Sequence, residues 1–235
     1  MPDVLESESM RAGRRFRFER WSVVALILLG VAALARAQEK AHGSYFPLDL
    51  RRHWRYQLTL EVDGTQKKAF RDRTNVSATK LGERDAVVVE EKLENNLTLT
   101  ETYAQDGDAI LLLASRAEGG AEHVLDPPRP MILLSRLDTV GAVWTWTSTD
   151  GRESWVTTVT TKGIDKEGRE EVILVAKGTQ RSRDSLKTAT QEKTITLVRG
   201  VGMTREEDLI VPPDEQHKTK MTSELRSHDR TDAPK

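Results

Sequence analysis

The residues best suited to acid–base chemistry come as adjacent acidic runs, Glu90-Glu91, Glu170-Glu171 and Glu206-Glu207-Asp208. Two carboxylates flanking a sugar linkage can hydrolyse it, one as general acid and the other as base or nucleophile. Neighbours on a strand point to opposite faces, however, so an adjacent pair does not converge on one bond. The runs are therefore expected to be solvated charges at strand edges and turns. The five histidines, His42, His53, His123, His217 and His228, never stand at the i, i+2 or i, i+4 spacing that lets two imidazoles share a metal. They read as surface or turn residues, with His53 at a strand entrance beside Trp54. The chain has no cysteine, which removes disulfides, thiol nucleophiles and Cys-ligated metals. It also lacks a Gly-x-Ser-x-Gly elbow, a Gly-rich phosphate loop, His-Glu-x-x-His and an EF-hand loop. No catalytic residue, metal or cofactor is expected, and the chain reads as non-catalytic.

Lys67-Lys68, Arg71 and Arg73 form the densest basic stretch, but Asp63 and Asp72 balance it and only Phe70 lies among them. That is not a base-stacking platform, and 36 basic against 37 acidic side chains give a formal charge of −1, so nucleic acid is excluded as a partner. Asn75-Val-Ser77 and Asn96-Leu-Thr98 match the glycosylation sequon, a match without weight in a bacterial-looking chain. The aromatic residues are the remaining lead. Trp54, Tyr56, Trp144, Trp146 and Trp155 sit at the starts of strand-like segments. On a curled sheet their shared face is concave and apolar, suited to a lipid or acyl chain; the alternative is an ordinary core beneath a covering element. These five are the candidate ligand-binding residues.

Strands must position them. Apolar residues alternate through Trp54-Arg-Tyr56-Gln-Leu58-Thr-Leu60-Glu-Val62, and again through 97–103, 144–146, 155–159 and 193–197, the pattern of half-buried strands. Apolar runs at 87–89, 110–113 and 172–176 predict strands buried on both faces or bent. Turn signals such as Asp63-Gly64, Asp106-Gly107 and Asp150-Gly151 recur at about one strand length. No helical stripe persists for three turns after Ala37. The expected fold is mainly β, with ten to twelve antiparallel strands, as a large curved sheet or half-open barrel as readily as a sandwich. Leu125-Asp-Pro-Pro-Arg-Pro130 cannot donate a hydrogen-bond ladder and predicts a crossing loop. The domain is expected to span 45–227 after a 38–44 linker, with Lys218 to Ser227 patterned as an edge strand and 228–235 as a disordered tail.

Ahead of this domain, five arginines lie within residues 1–20, Trp21 to Ala35 runs without a charge, and Ala35-Arg-Ala37 follows. Basic, apolar and small-x-small segments in that order make a signal peptide cut after Ala37. The alternative is an uncleaved anchor, but fifteen residues span only about 22 Å as a helix, short of the roughly 30 Å hydrocarbon core. Cleavage removes six basic and four acidic groups and leaves a formal charge of −3. The expected location is periplasmic or extracellular, with membrane contact only through an uncleaved signal.

One phrase repeats. Leu48-Asp49, four residues and Trp54-Arg-Tyr56 are answered by Leu137-Asp138, five residues and Trp144-Thr-Trp146, consistent with a two-half duplication broken near 125–130. Tyr45-Phe46-Pro47-Leu48 with Trp54-Arg55-Tyr56, Gly141-Ala142-Val143-Trp144, and Gly200-Val201-Gly202-Met203 together resemble a loose group of exported bacterial β-sheet proteins. That group opens with aromatic-Pro-Leu and Gly-x-x-Trp and carries Gly-Val-Gly near its C-terminus. It is distantly similar to curved-sheet carriers of the lipoprotein-localisation type. Arg51 stands where the first Gly-x-x-Trp has its glycine. The resemblance implies a curved sheet and an exported, non-catalytic binding or structural protein of the cell envelope, with a carrier of a lipid or lipidated protein as the alternative. The implied partner is an apolar ligand or an envelope protein.

Overall fold

A computed structural model describes residues 45–94, 97–181, 188–213 and 218–230; the expected signal peptide, its cleavage site and the linker lie outside the described residues. Twelve strands are seen among them: β1 (Arg52–Val62), β2 (Thr65–Leu81), β3 (Arg84–Leu93), β4 (Thr98–Asp106), β5 (Ala109–Ala117), β6 (His123–Leu133), β7 (Val143–Thr147), β8 (Glu153–Ile164), β9 (Glu170–Arg181), β10 (Thr188–Val198), β11 (Gly202–Val211) and β12 (Thr219–Arg230). The one helical element among these residues is a single 3-10 turn, Leu134–Arg136. No helix among them is long and apolar enough to cross a membrane.

Every strand pairs antiparallel with its chain neighbour except β6 with β7, and β12 pairs with β1 from Arg52↔Arg230 to Val62↔Thr219. The order is thus cyclic, a meander that curls until its last strand meets its first. This is a nearly closed barrel-like sheet rather than a sandwich. Inward positions alternate as the pleat requires, with Trp54, Tyr56 and Leu58 buried on β1 and Arg71, Arg73 and Asn75 buried on β2.

The gap falls at the proline-rich segment, which is a strand and not the crossing loop its sequence predicts. Pro127, Pro128 and Pro130 bring no N–H, so β6 can accept hydrogen bonds on its outer edge but donates few. Its carbonyls are taken by two indoles and a loop N–H instead. Trp144 Nε1 donates to Pro130 O at 3.1 Å and Trp146 Nε1 to Pro127 O at 2.9 Å, while the Thr149 N–H donates to Asp126 O at 2.8 Å. Two indoles therefore stand in for a ladder across the seam. β12 also departs from expectation: it is flanked by β1 and β11 on both sides rather than lying at an edge, and it runs three residues past 227.

Antiparallel alternation puts the starts of β1 and β7 at the same end of the barrel, and both lead-in segments close that end. Tyr45 is 1% exposed and Phe46 packs on Tyr103 with 5.1 Å between ring centroids. The Asn75 amide donates to the carbonyls of Pro47 at 3.1 Å and Asp49 at 2.8 Å, so the Asn75 sequon is buried as structure. Leu134 and Leu137, ahead of β7, enter the same core. The repeated phrase has a geometric counterpart here. Arg51 and Gly141 both take positive φ, 64° and 85°. Each donates its N–H at 2.8 Å to the second strand of its half, Arg51 to Asn75 O and Gly141 to Val159 O. The departure from glycine at Arg51 thus keeps the backbone shape, at a cost of about 1–2 kcal/mol for a side chain in the left-handed region.

Candidate functional site

The barrel interior holds a cavity of about 320 Å³. Its apolar wall includes Leu58, Leu99, Ile132, Ile195, Met203 and Met221. Its polar wall is built by β2, β3, β10 and β11, whose inward positions carry charge. Arg73 Nη1 donates to Glu91 Oε1 at 2.8 Å. Arg71 lies 3.4 Å from Glu91 and, reaching past β1 and β12, 3.0 Å from Glu206 on β11. Lys193 then lies 3.2 Å from Glu206 and 3.3 Å from Asp208. All of Arg71, Arg73, Glu91, Glu206 and Asp208 are buried. The alternation argument about acidic runs holds, since Glu91 and Glu206 point in while Glu90 and Glu207 do not, but the inward members are not solvated edge or turn charges. They form a paired network inside the barrel.

Pairing decides which carboxylates stay ionised. Burial pushes Glu206 up, but Lys193 and Arg71 outweigh it and hold its pKa down at about 2. Glu101 differs: burial and the charge of Glu91 raise it, against the opposing pull of Arg73 and the Tyr103 hydroxyl, which donates to it at 2.6 Å. Because Glu206 titrates below its ordinary 4.5, its contribution is fully present above pH 4.5 and is lost as pH falls toward 2. The shift corresponds to roughly 3 kcal/mol. Urea unfolding at stepped pH should therefore show stability falling through that window, with a shallower fall in Glu206→Gln; equal slopes in the two proteins would contradict the assignment.

None of the five aromatic candidates lines this cavity. Trp54 Nε1 donates to Val201 O at 2.7 Å, Tyr56 Oη to Met203 O at 3.0 Å, and Trp144 and Trp146 hold the seam. Trp155 packs so closely on Gly178 that a Cβ there would lie 2.6 Å from the ring. Its other contact leads to the cavity: the guanidinium of Arg129, a wall residue, lies 4.8 Å from the Trp155 ring centroid. His53 lies outside this group, with Nε2 3.2 Å from Asp72 and Nδ1 3.3 Å from Asp229. No cluster able to hold a metal occurs among the described residues; His42 and His217 lie outside them.

Sequence reasoning weighed Arg71, Arg73, Glu91 and Glu206 only for nucleic-acid or glycoside chemistry and missed that they face inward, and it missed Arg129 altogether. The signal that could have found most of them is period two in polar residues: Arg71, Arg73 and Asn75, or Glu206 and Asp208, recur at strand spacing as apolar residues do elsewhere.

No family model matches the chain, and no curated protein matches it. Two solved structures are similar over most of its length. One is a candidate exported protein with a YMCC-like fold from Bacteroides fragilis, with a TM-score of 0.43, 11% identity, and coverage of 78% of this chain and 98% of that one. The other is a candidate lipoprotein from Parabacteroides distasonis, with a TM-score of 0.39, 10% identity, and coverage of 77% and 98%.

Proposed function

We propose that this chain is an exported, non-catalytic binding protein of the bacterial cell envelope that holds a small ligand with an apolar tail inside its barrel. The supporting observation is the 320 Å³ interior cavity with its mainly aliphatic and methionine wall. It is at the small end of the roughly 300–1,000 Å³ usual for ligand sites. That volume suits one alkyl chain or a small ring system better than the several chains of a lipid anchor. The Tyr45 and Leu134 segments pack into the core at one barrel end, and the cavity wall runs toward the other end as far as Leu93, Leu97 and Thr98. The export half of the reading rests on the basic, apolar and small-x-small order of residues 1–37.

A neutral, polarity-sensitive apolar dye tests the site. Saturable one-to-one binding is expected, and it should be lost in Leu99→Trp and Ile195→Trp, which fill the cavity, while circular dichroism stays that of a β protein. Absent or unsaturable binding, or binding indifferent to both substitutions, overturns the proposal. Protein recovered from the envelope fraction should begin at Gln38.

A further inference from the structure

We propose that Arg129 is the anchor of this site and that its ligand is an amphipathic monoanion, an aliphatic chain ending in a carboxylate. The inference rests on the reading of the cavity as a binding site and adds the ligand's charge and the residue that selects it.

Among the described residues four cations line the cavity, and three are answered. Arg71 and Arg73 share Glu91, Arg71 also meets Glu206, and Lys193 meets Glu206 and Asp208. Arg129 is different. Its Nε approaches Met131 Sδ at 3.2 Å, and its guanidinium stacks on Trp155. No carboxylate among the described residues reaches it at ion-pair distance. Glu101 and Glu153 are the acidic groups that act on it through space, and Glu101 is itself held toward its neutral form by burial and by Glu91. A half-buried cation without a carboxylate at ion-pair distance carries a desolvation penalty that a bound anion relieves.

The geometry narrows the anion. The Trp155 ring holds the guanidinium from one side and Met131 Sδ takes its Nε–H, which leaves the two Nη groups for a partner, a pair of donors that suits the two oxygens of a carboxylate. One unanswered positive charge calls for one negative charge. The other charges of the wall are paired among themselves, and its largest share is leucine, isoleucine and methionine, so the remainder of the ligand is hydrocarbon.

Displacement of the neutral dye by dodecanoate, dodecanol and dodecylammonium reads this directly. On the native protein dodecanoate should bind at least about tenfold more tightly than dodecanol, the scale of a charge-assisted hydrogen bond, and dodecylammonium should bind most weakly. In Arg129→Gln the preference for acid over alcohol should collapse toward one while dodecanol binding persists. Arg129→Lys should keep part of it. Equal affinity for acid and alcohol on the native protein, or an unchanged preference in Arg129→Gln, overturns the inference while leaving the binding reading intact; failure of all three amphiphiles and of the dye removes the binding reading itself. Should Arg129→Gln not fold, the native comparison and Arg129→Lys decide.

Discussion

Replacing Trp54 by Ala lowers the free energy of unfolding by about 3–5 kcal/mol, the usual cost of deleting a large buried aromatic, and leaves dye binding per folded molecule unchanged. The ring is 3% exposed and its indole N–H is bonded at 2.7 Å to the Val201 carbonyl. Its edge also lies near Gly202, where an added Cβ would sit 3.1 Å from Pro47 and 3.6 Å from Trp54 Nε1. One side chain thus fixes the start of β1, the β10–β11 turn and the lead-in segment together. Trp54→Phe keeps most of the packing and loses the hydrogen bond, so its cost should be roughly 1–3 kcal/mol, that of an unsatisfied buried carbonyl. Urea unfolding of both variants, with dye titration of the folded fraction, checks this. Unchanged stability with lost binding would instead make Trp54 a ligand contact.

Legibility in the sequence followed the chemistry of the inward face. β1 and β7 stand out because their buried residues are apolar and alternate with polar ones, and β8 and β10 show the same pattern in part, through Trp155 and Val159 and through Ile195 and Leu197. β2 and β11 do not, because Arg71, Arg73, Glu206 and Asp208 occupy the positions where a hydrophobic pattern is sought. β6 was hidden by prolines that forbid an internal strand but permit one at a seam. The pairing of β12 with β1 joins segments more than 150 residues apart, and no local signal encodes it. For the same reason the cavity was invisible: its wall draws on residues from Phe46 to Met221, and Arg129 sat in a segment read as a loop. The candidate aromatics drew notice because they are large and sit at strand starts. The structure places them where large rings brace backbone, at the seam and at the closed end.

The buried charges follow from the width of the barrel. Twelve strands enclose more space than aliphatic side chains from opposite walls readily fill, and long side chains such as Arg71 reach from β2 to β11 across two intervening strands. Their pairing is then obligatory. Glu91 is the shared counterion of Arg71 and Arg73, at 3.4 Å and 2.8 Å, so Glu91→Gln leaves Arg73 without its carboxylate partner and Arg71 with Glu206 alone. Breaking a buried pair on one side costs about 3–5 kcal/mol. The double variant Arg73→Met/Glu91→Met removes one charge of each sign and leaves the Arg71–Glu206 pair in place. It should recover much of that loss, since replacing a buried pair by apolar residues is often near neutral. Thermal and urea unfolding of the single and double variants form the cycle that measures it. A Glu91→Gln protein as stable as the native one would show that water, rather than the paired carboxylate, solvates these arginines, and the interior would then be a wet channel rather than a closed site.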